Sequence, residues 1–391
     1  MARTIYLDNS ATTALCPEAI AAMRQVMEEI YGNPSSLHAV GLAAEKIVTA
    51  ARSDVLTALG VRGDGRQLIF CGSGSEANNL ALIGTYTAKR RRTGARVILT
   101  AGEHSSTEAA AEYLASLGAD VVRLSTKDGA LDMDEGAAAL TENTVLVSSM
   151  LVNNETGALY PVADLFRLAK AKCPDVICHC DAVQGFLKVP FSPRALGADL
   201  VTVSAHKIHG PKGMAALYVS PEILKRRALV PVIHGGQQEN GLRAGTENVI
   251  GIAGFGAAAA VGAKNFAADR AALDALGAYL LDRLAADAPL REIKVNRPAN
   301  AVPHIISLTL PDIKSETMLH FLSGKGICVS SGSACSSHAK KVSRALSAYG
   351  LSDRAADCTI RISLAHTNTA DELDALCAAL GEGLSTLIRI R

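Results

Sequence analysis

Along the first two thirds of the chain, apolar positions form short unbroken runs separated by stretches in which they recur at helical spacing. The runs at 67–71, 96–101, 121–124, 145–150, 176–180, 200–204 and 215–219 read as strands, each bounded by Gly, Pro or small polar residues. Helices are expected from Pro17 to a stop at Gly32, from there to a stop at Gly60, and over 75–92, 106–117 and 162–171. Alternating strands and helices, with strands apolar throughout, predict an α/β fold: a mostly parallel, seven-stranded sheet covered by helices on both faces. After about residue 260 the rhythm changes. A long Ala/Leu-rich helix leads into strands over 304–310, 327–330 and 359–364 with helices between, which reads as a smaller α+β unit. The expected division is a large domain over 15–260 and a small one built from 1–14 and 261–391.

Composition narrows this picture. Hydrophobic residues make up 49% and charged residues 20%, enough apolar content for large cores. The net charge of +1 gives no electrostatic case for nucleic acid or an anionic membrane surface. The basic run Lys89-Arg90-Arg91-Arg92 closes an expected helix, where cations suit the dipole. The N-terminal residues lack the apolar core of a signal peptide, and the apolar stretch 249–263 is too short and Gly-rich to span a bilayer and reads as a buried or interface helix. Nine cysteines without a CxxC pair read as reduced thiols, so a cytoplasmic protein is expected. Cys178-His179-Cys180 lies in a strand, where neighbours point to opposite faces, so no metal site is expected there.

In sheets of this kind ligands bind beyond the C-terminal strand ends. After 67–71 comes Gly72-Ser73-Gly74-Ser75-Glu76-Ala77-Asn78, small residues leading into a helix N-terminus. This is either an anion site that Ser75 completes or a plain turn with its N-cap. It lacks the Lys-Ser/Thr of a nucleotide P-loop and the spaced glycines of a dinucleotide site. After 96–101 comes Glu103-His104, whose imidazole could stack on an aromatic ring. After 176–180 comes Asp181, then Gln184; the acid is either a helix N-cap or the partner of a pyridinium nitrogen. After 200–204 comes Ala205-His206-Lys207-Ile208-His209-Gly210-Pro211-Lys212. Lys207 directly follows a buried strand, whereas Lys212 sits inside the turn, and a lysine held out of water forms Schiff bases. An Asp and a Lys at the ends of successive strands are what pyridoxal 5′-phosphate requires.

With these residues in place, the chain resembles the cysteine desulfurases, class V aminotransferase-type enzymes of fold type I. The resemblance runs through Leu7-Asp8-Asn9-Ser10-Ala11-Thr12-Thr13, Gly32-Asn33-Pro34-Ser35-Ser36, Glu103-His104 and Val152-Asn153-Asn154-Glu155-Thr156-Gly157. It continues through Asp181-Ala182-Val183-Gln184, Ser204-Ala205-His206-Lys207, Arg243-Ala244-Gly245-Thr246 and Ser330-Ser331-Gly332-Ser333-Ala334-Cys335. It implies that Lys207 is the Schiff-base lysine and the base for the α-proton, that His104 stacks on the ring and helps with proton transfer, that Asp181 pairs with the ring nitrogen and that Gln184 bonds the ring hydroxyl. It also implies that Gly74, Ser75, Ser204 and His206 hold the phosphate, joined by Thr246 from the partner subunit of a homodimer. Asn33, Asn154 and Arg361 would bind the substrate, with Asn154 also contacting the cofactor, and Arg361 has the planar fork a carboxylate needs. Cys335 would be the nucleophile that takes sulfur from L-cysteine as a persulfide, leaving L-alanine. Cys328, in an expected strand, would be inert.

The distance from Cys335 to the next helical block resembles the long-loop branch of the family, tied to iron–sulfur assembly and nitrogen-fixation-type enzymes. An iron–sulfur scaffold or another sulfur acceptor is then the implied partner. Two departures stand out: Ser75 occupies a position where the family commonly has Thr, and Ser336-Ser337-His338-Ala339-Lys340-Lys341 is more basic than the family pattern. The alternative is another class V enzyme, an aminotransferase or a lyase on a sulfur or selenium amino acid, which would need Lys207 and Asp181 but not Cys335.

Overall fold

The computed structural model describes residues 4–89, 94–331 and 343–390. Cys335, with the loop around it, lies outside the described residues. The strands are β1 (Ile5–Tyr6), β2 (Leu68–Cys71), β3 (Arg96–Thr100), β4 (Asp120–Leu124), β5 (Thr144–Met150) and β6 (Ile177–Asp181). They continue with β7 (Leu200–Ser204), β8 (Ala215–Val219), β9 (Lys294–Asn296), β10 (Ile305–Thr309), β11 (Ile327–Cys328) and β12 (Thr359–Ser363).

Seven strands form one sheet in the order β2-β8-β7-β6-β5-β3-β4. All are parallel except β8, which runs antiparallel to both β2 and β7. The unbroken apolar runs have a direct cause: alternate residues of each strand enter different cores. Leu68 and Phe70 pack with the helices Ala39–Ala58, Val162–Lys172 and the start of Val249–Ala286. Ile69 and Cys71 pack on the opposite face with Leu80, Tyr86, Ala111 and Leu114. The same alternation separates Cys178-His179-Cys180: both thiols enter the first core. His179 is bonded through Nδ1 to Ser148 Oγ at 2.8 Å and through Nε2 to Thr202 Oγ1 at 3.0 Å.

Two expected boundaries move, for identifiable reasons. The strand expected over 176–180 ends one residue later, because Asp181 still pairs with Met150 and Thr202. The helix expected over 75–92 starts at Gly74 and widens to π geometry over Leu80–Gly84. There the Gly84 carbonyl accepts from Val230 N at 3.3 Å, and a Cβ on Gly84 would lie 2.5 Å from Val230 O.

A second core gathers Leu7, the end of the long helix (Leu273, Leu280, Leu284), β10, β12 and the helix Ala370–Thr386. Its sheets are β12-β10-β9 and β1-β11. The expected helix over 249–263 and the Ala/Leu-rich helix after it are one continuous helix, Val249–Ala286, which joins both cores, so residue 260 falls inside it. It is the one helix among the described residues long and apolar enough to cross a membrane, and its first half is packed into the first core.

Candidate functional site

The C-terminal ends of β2, β3, β5, β6 and β7 surround a cavity of about 250 Å³. Asp181, the last residue of β6, is buried. Its Oδ1 accepts from Val183 N at 3.0 Å and its Oδ2 from Asn78 Nδ2 at 2.7 Å. Asn78 lies one turn inside the helix that begins at Gly74, and its amide also donates to Ser106 Oγ at 3.0 Å. Ser106 Oγ in turn meets His104 Nδ1 at 2.8 Å, and Ser106 N donates to the same nitrogen at 3.2 Å. With Nδ1 accepting, the neutral ring carries its proton on Nε2. Burial holds the imidazole below its ordinary proton affinity, opposed by the Asp181 charge. A hydrogen-bonded chain thus runs from Asp181 through Asn78 and Ser106 to His104, fixing an acid and a ring on one cavity.

Lys207 ends the short 3₁₀ turn Ala205–Lys207 that follows β7. Its Nζ donates to Ser10 O at 2.5 Å and Ala11 O at 2.8 Å. β6 and β7 are neighbours, so Lys207 and Asp181 reach the same cavity, as the sequence spacing predicts. Gln184 Nε2 donates to Ser10 O at 2.9 Å, while its Oε1 is buried without a partner. Ser75, Gly74 and Ser204 lie on the wall, together with His206. Ser73, not Ser75, caps the helix, accepting from Glu76 N at 3.1 Å; this leaves the Ser75 hydroxyl out of the cap. Burial and the Lys207 charge push the His206 imidazole down to about 4.

Arg361, in the middle of β12, is 3% exposed. It is not the ordinary edge-strand arginine its position allows: Nη2 donates to Asp8 Oδ1 at 2.8 Å and Nη1 to the Asn154 carbonyl at 2.9 Å. Its Nε is buried without a partner, and the side chain borders the cavity beside Asn154. Beneath His104, Glu103 is fully enclosed. Its Oε1 accepts from Met150 N at 2.6 Å and from the Thr100 hydroxyl, and its Oε2 has no partner. Burial, reinforced by the Asp181 charge, pushes this carboxyl up to about 8 against those two donors.

Asn33 and Thr246 are not brought to this cavity. They line a separate groove together with Tyr31 and Val26. Reading strand ends missed Asn78, Ser106, Asp8 and the carbonyls of Ser10 and Ala11. Asn78 had a usable signal, a poor helix former one turn into a helix. Ser106 lies two positions from His104, at the start of the helix that His104 caps, while Asp8 and the carbonyls of Ser10 and Ala11 have partners far away in the chain.

The aminotransferase class-V family model matches residues 5–376. A protein of Dictyoglomus turgidum named "Cysteine desulfurase IscS" is 35% identical over 376 residues, covering 96% of this chain and 93% of that protein. A cysteine desulfurase of Cereibacter sphaeroides is 37% identical over 378 residues, covering 96% and 94%. Among solved structures, a "NifS-like protein" superposes with a TM-score of 0.89 at 33% identity, covering 98% of this chain and 100% of that one. A NifS-like protein from Rickettsia africae gives 0.86 at 31% identity, covering 97% and 99%.

Proposed function

The chain belongs to the aminotransferase class-V family, among its cysteine desulfurases, and from that premise we propose that it takes sulfur from L-cysteine and releases L-alanine, using pyridoxal 5′-phosphate held at Lys207. The observation that carries the reading is the meeting of Asp181, Lys207 and Arg361 in one cavity. An aromatic aldehyde with a ring nitrogen, a hydroxyl and a phosphate fits what lines it. Asp181 would face the ring nitrogen, the buried and unpartnered Oε1 of Gln184 would take the ring hydroxyl, and Lys207 would anchor the aldehyde. His104, held by Ser106, would lie against the ring, and Gly74, Ser75, Ser204 and His206 would surround the phosphate.

When bound, the cofactor withdraws electrons from the substrate's α-carbon. Around it, each residue has a task. Arg361, with the Asn154 segment beside it, receives the substrate carboxylate; its buried Nε is the donor left over after Asp8 and Asn154 are served. Lys207 Nζ, freed when the substrate's amine displaces it, takes the α-proton. Asp181 holds the proton of the ring nitrogen. Cys335, as thiolate, attacks the substrate sulfur; the carbon–sulfur bond breaks with its electron pair going to the substrate's β-carbon, which takes a proton, so alanine leaves and Cys335 keeps a persulfide.

Asn33 and Thr246 share one groove, flanked by Tyr31, which is 84% exposed, and Leu37, four positions after Asn33 in the chain, is 92% exposed. Those apolar side chains favour a homodimer in which both residues reach the partner's cavity, Thr246 toward the phosphate and Asn33 toward the substrate. The reading also includes a cytoplasmic location, an iron–sulfur scaffold or other sulfur acceptor as partner, and a small domain made of both chain ends. The test is incubation of the protein with cysteine alone, followed by mass measurement of the peptide containing Cys335. A persulfide is expected there, and Cys335→Ala should keep the cofactor's visible absorbance while losing alanine production. Normal turnover by that variant would overturn the mechanism.

A further inference from the structure

A second cavity, of about 320 Å³, shares Lys207 with the first and is otherwise lined by different residues. It lies where the helix Val249–Ala286 passes the start of the helix Pro17–Glu29, and Leu15, Leu187, Ile208, Val261, Leu273 and Leu364 make its walls mostly apolar. Lys188 also lines it. Leu187, the residue before, has a φ of 56°, a left-handed conformation that a branched residue rarely adopts. The turn is held by Lys188 N and Val189 N, both donating to Gly185 O at 3.0 Å.

Lys188 is half-buried, and among the described residues it forms no ion pair or hydrogen bond through its side chain. The charges that bear on it are those of Lys207 and Arg361, and it bears in turn on His206, His209 and His304. The cavity's carboxylates are turned elsewhere: Asp269 faces His366 at 3.8 Å, and Glu18 lies beside Cys16 in the first turn of its helix. His209 is committed through Nδ1 to Ala14 O at 3.0 Å. An apolar cavity with one cation lacking a counter-ion selects an anion with an apolar body.

We propose that this cavity binds a small organic monocarboxylate with an apolar body, its carboxylate paired with Lys188 Nζ. Burial, with the Lys207 and Arg361 charges, pushes the Lys188 ammonium down to about 7, so an anion beside it restores the proton. The volume matches the lower end of ligand pockets, roughly 300 Å³. The site is independent of the reaction proposed above.

The probe is 3-phenylpropionate, titrated at pH 7 into the full chain carrying its cofactor and followed by calorimetry and ligand-observed NMR. Saturable binding is expected, with the neutral 3-phenylpropanol about tenfold weaker, the worth of one charge-assisted contact. Lys188→Met should weaken the acid by a similar factor and Lys188→Arg should retain it. Val261→Phe, which fills the cavity without touching a charge, should abolish binding, and Arg361→Gln, which removes a like charge, should not weaken it. Equal binding of the alcohol would overturn the proposal, as would absence of saturable binding. So would binding that survives Val261→Phe but is lost in Arg361→Gln, since the probe would then sit in the first cavity. If Lys188→Met fails to fold, the acid-against-alcohol comparison on the parent protein still decides.

Discussion

Glu103 is a carboxyl the fold holds with a proton at neutral pH, and Glu103→Gln tests that directly. In the folded chain its half-protonation point moves from 4.5 to about 8, chiefly by burial and secondly by the Asp181 charge. A carboxyl whose folded value is raised gives stability that is fully present below its unfolded value and is lost as pH rises through the folded one. The window is therefore pH 4.5 to 8, and the loss across it is roughly 5 kcal/mol. Glutamine keeps a carbonyl oxygen for Met150 N and the Thr100 hydroxyl. Its amide nitrogen takes the place of the protonated Oε2, which is buried without a partner, and the second N–H it brings there costs about 1–3 kcal/mol at every pH.

The two effects have opposite signs and only one depends on pH. At pH 5 the variant should be less stable than the parent by about 1–3 kcal/mol. At pH 9 it should be more stable by about 2–4 kcal/mol, because it has no carboxylate to bury. Denaturant midpoints of both proteins at pH 5, 7 and 9, taken as differences so that other titrations cancel, measure this. A difference that stays constant within about 0.5 kcal/mol from pH 5 to 9 would refute a protonated Glu103.

Asp8→Asn removes the ionic partner of an arginine that is 3% exposed, and should destabilise the protein by about 3 kcal/mol in urea titrations. Asn78→Ala takes from Asp181 one of its two donors, a hydrogen bond to a charged group worth about 1.5–3 kcal/mol; pyridoxal phosphate should be held ~10–100-fold more weakly by absorbance titration. Gly157 has a φ of 74°, and a Cβ there would lie 2.6 Å from Ile305 O. Gly157→Ala should therefore lower the thermal midpoint measurably, by an amount that exceeds the few tenths to 1 kcal/mol of an ordinary Gly→Ala exchange.

The architecture was legible because two periodicities compete in a sequence and rarely coincide. Unbroken apolar runs alternating with helical spacing place the strands, and the strand-end rule then places Asp181 and Lys207. Strand direction was not legible: Ala215-Ala216-Leu217-Tyr218-Val219 is buried on both faces, and its pattern is the same read either way, so nothing marks β8 as antiparallel. The exact end of β6 was out of reach too, since Asp181 is held in the ladder by Met150 and Thr202, residues of other strands.

Most of the unread part of the site is of one kind. Asn78 and Asp181 are 103 positions apart, and Asp8 and Arg361 are 353 apart. Such pairs leave no spacing to find. What they leave is a local cost: an asparagine in a helix competes with the helix's own backbone and is a poor former there. Asn78 sits in a helix and is 1% exposed, so its amide had to be satisfied by tertiary bonds. A helix-disfavouring polar residue one turn beyond a strand-end glycine turn is thus itself a site signal. Here the rule would have picked Asn78 and, through it, the chain of bonds that fixes His104 opposite Asp181.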